Sequence, residues 1–375
     1  MKSIFFWLIS LPLWATPYPD PNGLVPVKYY PLTATKALPL SRQLDSLPML
    51  RIQIDWQSNE TYQISQIIKE NSGTPALQKR ALTRDPWGSY IAELTIGGVT
   101  YFDSIGTGKE YRKLTRALSF RFPFTQGHAD LKLWAENPLT GLHEVVLEES
   151  IDLSSASGLP SQAVEVRVLK EATLSDSLVF AIYADGYTAD RKDRFFQDAQ
   201  KVVRAMESVR FPEEARFRYV AVFGPSRTKI GNATDYGANP VARDAFLGLY
   251  FPHWNQFGRW YNVVYPTSEA QLRAGFAQIG YDYPLVLIDD SKYWGVGNYR
   301  MYTAIPGSAS QFDFLLLHEF GHYLGLNEEY EEEGATELEF APGIEEPWSA
   351  NMTFHPHRGE LKWEHLVDAS PPLPT

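Results

Sequence analysis

The sequence predicts an α+β protein in two parts, an N-terminal antiparallel β-sandwich followed by a layered α/β domain. Three observations carry this expectation. Short runs alternating apolar and polar residues fill positions 48–155, a Ser/Gly/Pro-rich break follows at 154–161, and strand and helix patterns alternate beyond it. A chain of 375 residues fits one or two domains. With 44% hydrophobic and 21% charged residues it can bury an ordinary globular core.

The N-terminus reads as an export signal. Lys2 precedes the apolar run 4–9 and the stretch 11–15, after which the chain turns polar and Pro-rich. Residues 1–15 are therefore assigned as a signal peptide cleaved after Ala15, and 16–47 as a lead-in with little regular structure. The apolar run is too short and too Pro-broken to span a membrane, so none is expected after cleavage. The absence of cysteine excludes disulfides, thiolate ligands and a lipidated cysteine. Export without disulfides fits a secreted or periplasmic bacterial protein. A formal net charge of −11 with no Lys/Arg cluster argues against a nucleic-acid partner, because phosphate binding needs a basic face.

Within the first part, residues 50–56 place apolar side chains on one face and polar ones on the other. Similar runs at 90–96, 99–102, 118–122, 131–134 and 145–151 are separated by turn residues such as Gly97-Gly98 and Asn137-Pro138. Together they predict a sandwich over 48–155. The second domain is assigned to 163–375. It opens with an apolar strand at 178–184 that ends in Asp185-Gly186. Thr188 is placed to cap a helix whose apolar positions Phe195, Ala199, Val202, Met206 and Val209 recur every three or four residues. Strands are expected at 217–223 and 285–288. Residues 299–304, after the Gly295–Gly297 turn, read equally as an internal strand or as an edge strand able to accept a peptide.

The chemistry concentrates in His318-Glu319-Phe320-Gly321-His322. On a helix the two histidines, at i and i+4, project from one face about 6 Å apart along the axis. That spacing lets both imidazoles reach one Zn2+, while Glu319 stands beside the first ligand as the candidate general base. Phe312 and the run 314–317 supply an apolar face, and Ser310 with Asp313 resembles a capping box that would start the helix. Gly325, three residues past His322, permits a left-handed helix stop that returns the chain towards the metal. In the metzincin spacing the third ligand falls on Glu328, with Glu329 one residue away. The thermolysin-like alternative draws on a later Glu345 or Glu346. His355, His357 and His365 read as structural or surface residues, and Met352 is the candidate for a methionine turn.

Several segments together resemble the IgA-peptidase-type zinc metallopeptidases. They are Ala184-Asp185-Gly186-Tyr187-Thr188, residues 284–291 with Lys292-Tyr293-Trp294-Gly295, the zinc motif, Glu328-Glu329-Tyr330, Asn351 and Lys362-Trp363. The likeness runs from Leu178 to the C-terminus. The resemblance implies a metzincin-like catalytic domain with zinc on His318, His322 and Glu328, and Glu319 as base. Where this chain has Ala184 and Glu328, the family usually has Gly and Asp. The expectation is thus a monomeric, exported zinc metalloendopeptidase acting on a protein or peptide. The alternative is a non-catalytic metal- or envelope-binding protein that keeps the peptidase fold.

Overall fold

A computed structural model describes residues 46–56, 61–84, 87–107, 117–137, 140–159, 162–209, 211, 214–230, 244–250, 263–327, 348–349, 351–353 and 362–363. The expected signal segment and nearly all of the lead-in lie outside them. Among the described residues no helix is long and apolar enough to cross a membrane.

The alternating runs of the first part all form strands. β1 (Leu47–Trp56), β2 (Tyr62–Gly73), β3 (Tyr90–Ile96), β4 (Val99–Ile105), β5 (Ala117–Pro123), β6 (His128–Glu136) and β7 (His143–Asp152) are joined by a two-residue β8 (Ser157–Gly158) and a short helix α1 (Pro75–Arg80). They make two four-stranded sheets, ordered β5-β1-β2-β8 and β4-β3-β6-β7. β2 carries no clean period two, and a register shift explains this. Gln53 faces Gln66 while Ile54 faces Ile64, so one extra residue separates the apolar positions.

One face of β1 and β5 meets the other sheet. Leu50, Ile52, Ile54, Leu118, Phe120 and Phe122 share an apolar cluster with Tyr90, Leu94, Leu131 and Leu133. The polar face of β1 and β5 is buried as well. Arg51 and Arg121 stand opposite each other in register and are 0% and 6% exposed. Arg51 Nε pairs with Glu70 Oε2 at 2.9 Å. Arg121 Nη1 donates to the carbonyls of Ser72 (3.3 Å) and Tyr281 (3.4 Å). Its guanidinium also lies 3.8 Å from the centre of the Tyr281 ring. These contacts couple the first part of the chain to the second.

The second part is built on a six-stranded sheet, ordered β15-β16-β14-β10-β11-β9. Its strands are β9 (Glu165–Lys170), β10 (Leu178–Asp185), β11 (Phe217–Phe223), β14 (Tyr283–Ile288), β15 (Val296–Asn298) and β16 (Tyr302–Pro306), while β12 (Leu249–Tyr250) and β13 (Tyr265–Pro266) form a separate small pair. β11, β10, β14 and β16 run parallel, and the outer strands β9 and β15 run antiparallel to their neighbours. Among the described residues three α-helices accompany it: α2 (Lys192–Ser208), α3 (Glu269–Phe276) and α4 (Phe312–Tyr323).

The all-apolar run of β10 is explained by cover on both faces. Phe180, Ile182 and Ala184 pack with Phe195, Val202, Leu316 and Phe320 of α2 and α4. Val179, Ala181 and Tyr183 belong to the same cluster as the first-part sheets. Thr188 opens a single 3₁₀ turn instead of capping α2, and its hydroxyl donates to Asp190 Oδ1 at 2.6 Å. The Asp185-Gly186 turn has a clear physical role. Buried Asp185 accepts from the backbone N–H of Leu247 (2.9 Å) and Leu249 (3.0 Å), and Gly186 takes φ +72°.

Candidate metal centre

α4 buries Leu315, Leu316, Phe320 and Tyr323 against α2 and the sheet, so its opposite side carries His318 and His322. The expected Ser310–Asp313 capping box does not form. Gln311 is the N-cap residue in a left-handed conformation (φ 54°, ψ 38°) without a side-chain cap bond. A box requires an extended N-cap residue, which this sharp entry from β16 does not provide. At the other end the left-handed stop occurs as expected. Gly325 has φ +93°, its N–H donates to His322 O at 2.9 Å, and Leu326 N–H donates to Gly321 O at 3.0 Å.

The two imidazoles converge. His318 Nε2 and His322 Nε2 are 3.2 Å apart, with the rings near perpendicular at 85°. His322 Nδ1 lies 2.8 Å from Leu326 O. A carbonyl only accepts, so Nδ1 carries the proton and Nε2 presents its lone pair. Two nitrogens each about 2.05 Å from a tetrahedral zinc stand roughly 3.3 Å apart, so the observed pair fits one such ion. Burial, and then the neighbouring His322, push the His318 imidazole down to about 4, keeping it neutral and able to act as a ligand. Phe314 stacks near His318, with ring centres 6.1 Å apart, and is 50% exposed beside the centre.

Glu319 is 7% exposed and lies beneath the loop before β15. A Cβ added at Gly295 would sit 2.3 Å from Glu319 Oε1, and one at Gly297 would sit 2.0 Å from Glu319 O and 2.9 Å from His322 Cβ. The two glycines thus let β15 lie directly on the motif. Asp290 shapes the approach, accepting from Ser291 N (2.7 Å) and Trp294 Nε1 (2.9 Å). Sequence reading marked Gly295–Gly297 only as a turn. The signal for more was two glycines spaced to fall on one face of a strand.

Residues 299–304 do not form an edge strand. Tyr299–Met301 is a turn, and β16 is internal, between β14 and β15. The edge is β15. The turn holds Arg300 at φ 55°. Its N–H donates to Tyr323 O at 3.2 Å, and its Nη1 donates to Ser104 Oγ at 2.9 Å. Gly106 N–H donates to Tyr299 O at 3.0 Å, so the first-part sheets brace the strand that borders the motif.

The structure therefore brings His318 and His322 together and buries the Glu319 side chain beneath Gly295. Glu328, Glu329, Glu345, Glu346, His355, His357 and His365 lie outside the described residues. Among the described residues no group of three or more His, Cys, Asp or Glu side chains is arranged to hold a metal. Asn351 has a defined place: its carboxamide bonds both backbone groups of Asn327, the residue before Glu328. Met352 N–H donates to Ser349 O at 3.4 Å in the adjoining turn, and Lys362 Nζ reaches the same carbonyl at 2.9 Å.

No curated protein matches the chain. The model of the family described as IgA Peptidase M64 matches residues 166–375. The match begins within β9, ahead of the Leu178 at which the sequence likeness begins. It covers more than half of the chain and includes the whole histidine motif, and on that ground the protein belongs to the IgA peptidase M64 family of peptidases.

Proposed function

We propose that the chain is an exported zinc metalloendopeptidase whose centre is His318, Glu319 and His322. The observation that carries the reading is the 3.2 Å approach of the two Nε2 atoms, with His322 Nδ1 committed to Leu326 O. His318 and His322 would hold the ion through Nε2, with Glu328 as the third ligand. When bound, zinc supplies a Lewis acid that polarises a peptide carbonyl and acidifies water. Glu319 takes the proton of the attacking water on a carboxylate oxygen and delivers it to the leaving amine nitrogen. Its burial beneath Gly295 limits the positions that carboxylate can adopt. β15, which among the described residues is paired on one side with β16, would offer its other edge to an extended substrate.

A metzincin-like reading is supported by the left-handed Gly325 stop, which folds Leu326 back onto His322. The sandwich reading is supported by the two four-stranded sheets with a common apolar cluster. Export rests on the leader-like N-terminus. The test is zinc content and peptide hydrolysis for wild type and Glu319→Ala. About one zinc per chain in both, with turnover only in wild type, is the expected result. Zinc in both without turnover in either would favour a binding protein on a peptidase fold, and no zinc in wild type would defeat the metal assignment.

A further inference from the structure

The peptide group joining Leu326 to Asn327 lies between the histidine pair and a side chain from a later turn. Its carbonyl accepts from His322 Nδ1 at 2.8 Å. Its N–H donates to Asn351 Oδ1 at 2.8 Å. Asn351 Nδ2 in turn donates to Asn327 O at 2.9 Å, so one carboxamide grips residue 327 at both backbone groups. C=O and N–H of one peptide are conjugated, and a bond donated by the N–H strengthens the carbonyl as an acceptor. The relay thus runs from Asn351 through one peptide to His322 Nδ1 and across the ring to Nε2.

We propose that Asn351 is a positioning residue for the metal centre, orienting the His322 ring through the 326–327 peptide. This rests on the metallopeptidase reading above. Histidine ligands ordinarily donate their second N–H to a carboxylate or carbonyl, and such partners set ring orientation and ligand strength. Here the carbonyl is supplied by the backbone, and the side chain that fixes it stands one peptide farther out. The turn that carries Asn351 is itself held. Ser349 O accepts from Lys362 Nζ and from Met352 N–H, and Trp348 packs on Tyr299 with ring centres 5.2 Å apart.

The experiment uses the full chain as wild type, Asn351→Ala, Asn351→Ser and Asn351→Asp. Zinc affinity is read by chelator competition, ligand geometry by the visible spectrum of the Co2+-substituted protein, and folding by the thermal midpoint of the metal-free form. Removing the carboxamide in Asn351→Ala should weaken zinc binding about tenfold and shift the cobalt bands, with the metal-free midpoint close to wild type. Asn351→Asp keeps an acceptor for Asn327 N–H and should stay within roughly threefold of wild type. If the alanine variant does not fold, Asn351→Ser takes its place. A folded Asn351→Ala or Asn351→Ser with wild-type affinity and spectrum overturns the inference while leaving the zinc assignment intact. A wild type that binds no zinc overturns the metallopeptidase reading, and this inference with it.

Discussion

Replacing Gly295 with alanine should uncouple catalysis from metal binding. The added Cβ would lie 2.3 Å from Glu319 Oε1 and 2.6 Å from Cδ and Cγ. Ordinary contact needs roughly 3.4 Å, so the carboxylate must retreat by about 1 Å. It is the far end of a flexible side chain, and the fold can yield there at a cost of about 1–2 kcal/mol. A general base displaced by that much should lower turnover about a hundredfold. The three atoms nearest the new Cβ all belong to the Glu319 side chain, so zinc should remain near wild-type content. Gly297→Ala is the contrast. Its Cβ meets the Glu319 carbonyl at 2.0 Å, and backbone cannot step aside. That variant should lose stability and metal together. Zinc analysis, thermal melts and peptide hydrolysis distinguish the two. Wild-type turnover in a folded Gly295→Ala would refute the placement of Glu319 as base.

Two further predictions follow from buried charge. Glu70→Gln leaves the fully buried Arg51 without its counter-charge and should cost about 3–5 kcal/mol in urea unfolding, with most of it recovered in Arg51→Met/Glu70→Leu. A single-variant loss below about 1 kcal/mol would contradict this. Burial, opposed by the Leu247, Leu249 and Gly186 amides and the Ser226 hydroxyl, holds Asp185 up to about 7. The folded state therefore binds this proton more tightly than the unfolded chain. The resulting stability is complete below about pH 4 and is lost as pH climbs through 7. Urea midpoints should accordingly show wild type losing ground to Asp185→Asn between pH 5 and pH 8, and the opposite trend would refute the sign.

The parts of this structure that could be read from sequence were those governed by local periodicity. The strands at 90–96 and 118–122 show their alternation directly, and β10 shows its two-sided burial as an unbroken apolar run. The i, i+4 histidines and the Gly325 stop follow from helix geometry alone. What stayed hidden depends on partners distant in sequence. β2 was masked by its extra residue. The polar stripe of Arg51 and Arg121 looks solvated until Tyr281, 160 residues beyond Arg121, closes over it. Nothing in the neighbourhood of Asn351 indicates that its carboxamide spans 24 residues to the peptide behind His322. The choice left open at 299–304 has the same origin, since that run is apolar enough for either position and only pairing decides.

The stretch that carries the family signature does not own all of its core. Val179, Ala181, Tyr183, Val286 and Ile288 line a sheet face whose apolar cluster is completed by Leu50, Ile52, Phe120 and their neighbours. What is inherited as a recognisable module is thus larger in meaning than in matter: its apolar cluster reaches back past residue 166 to the first strand. A gene trimmed to the matching segment would encode the histidine motif with one wall of its sheet unclad. A homologue whose leading sheets were exchanged would have to bring a complementary wall of its own, which makes the junction, and not the histidine helix, the place where evolutionary shuffling of this architecture is most constrained.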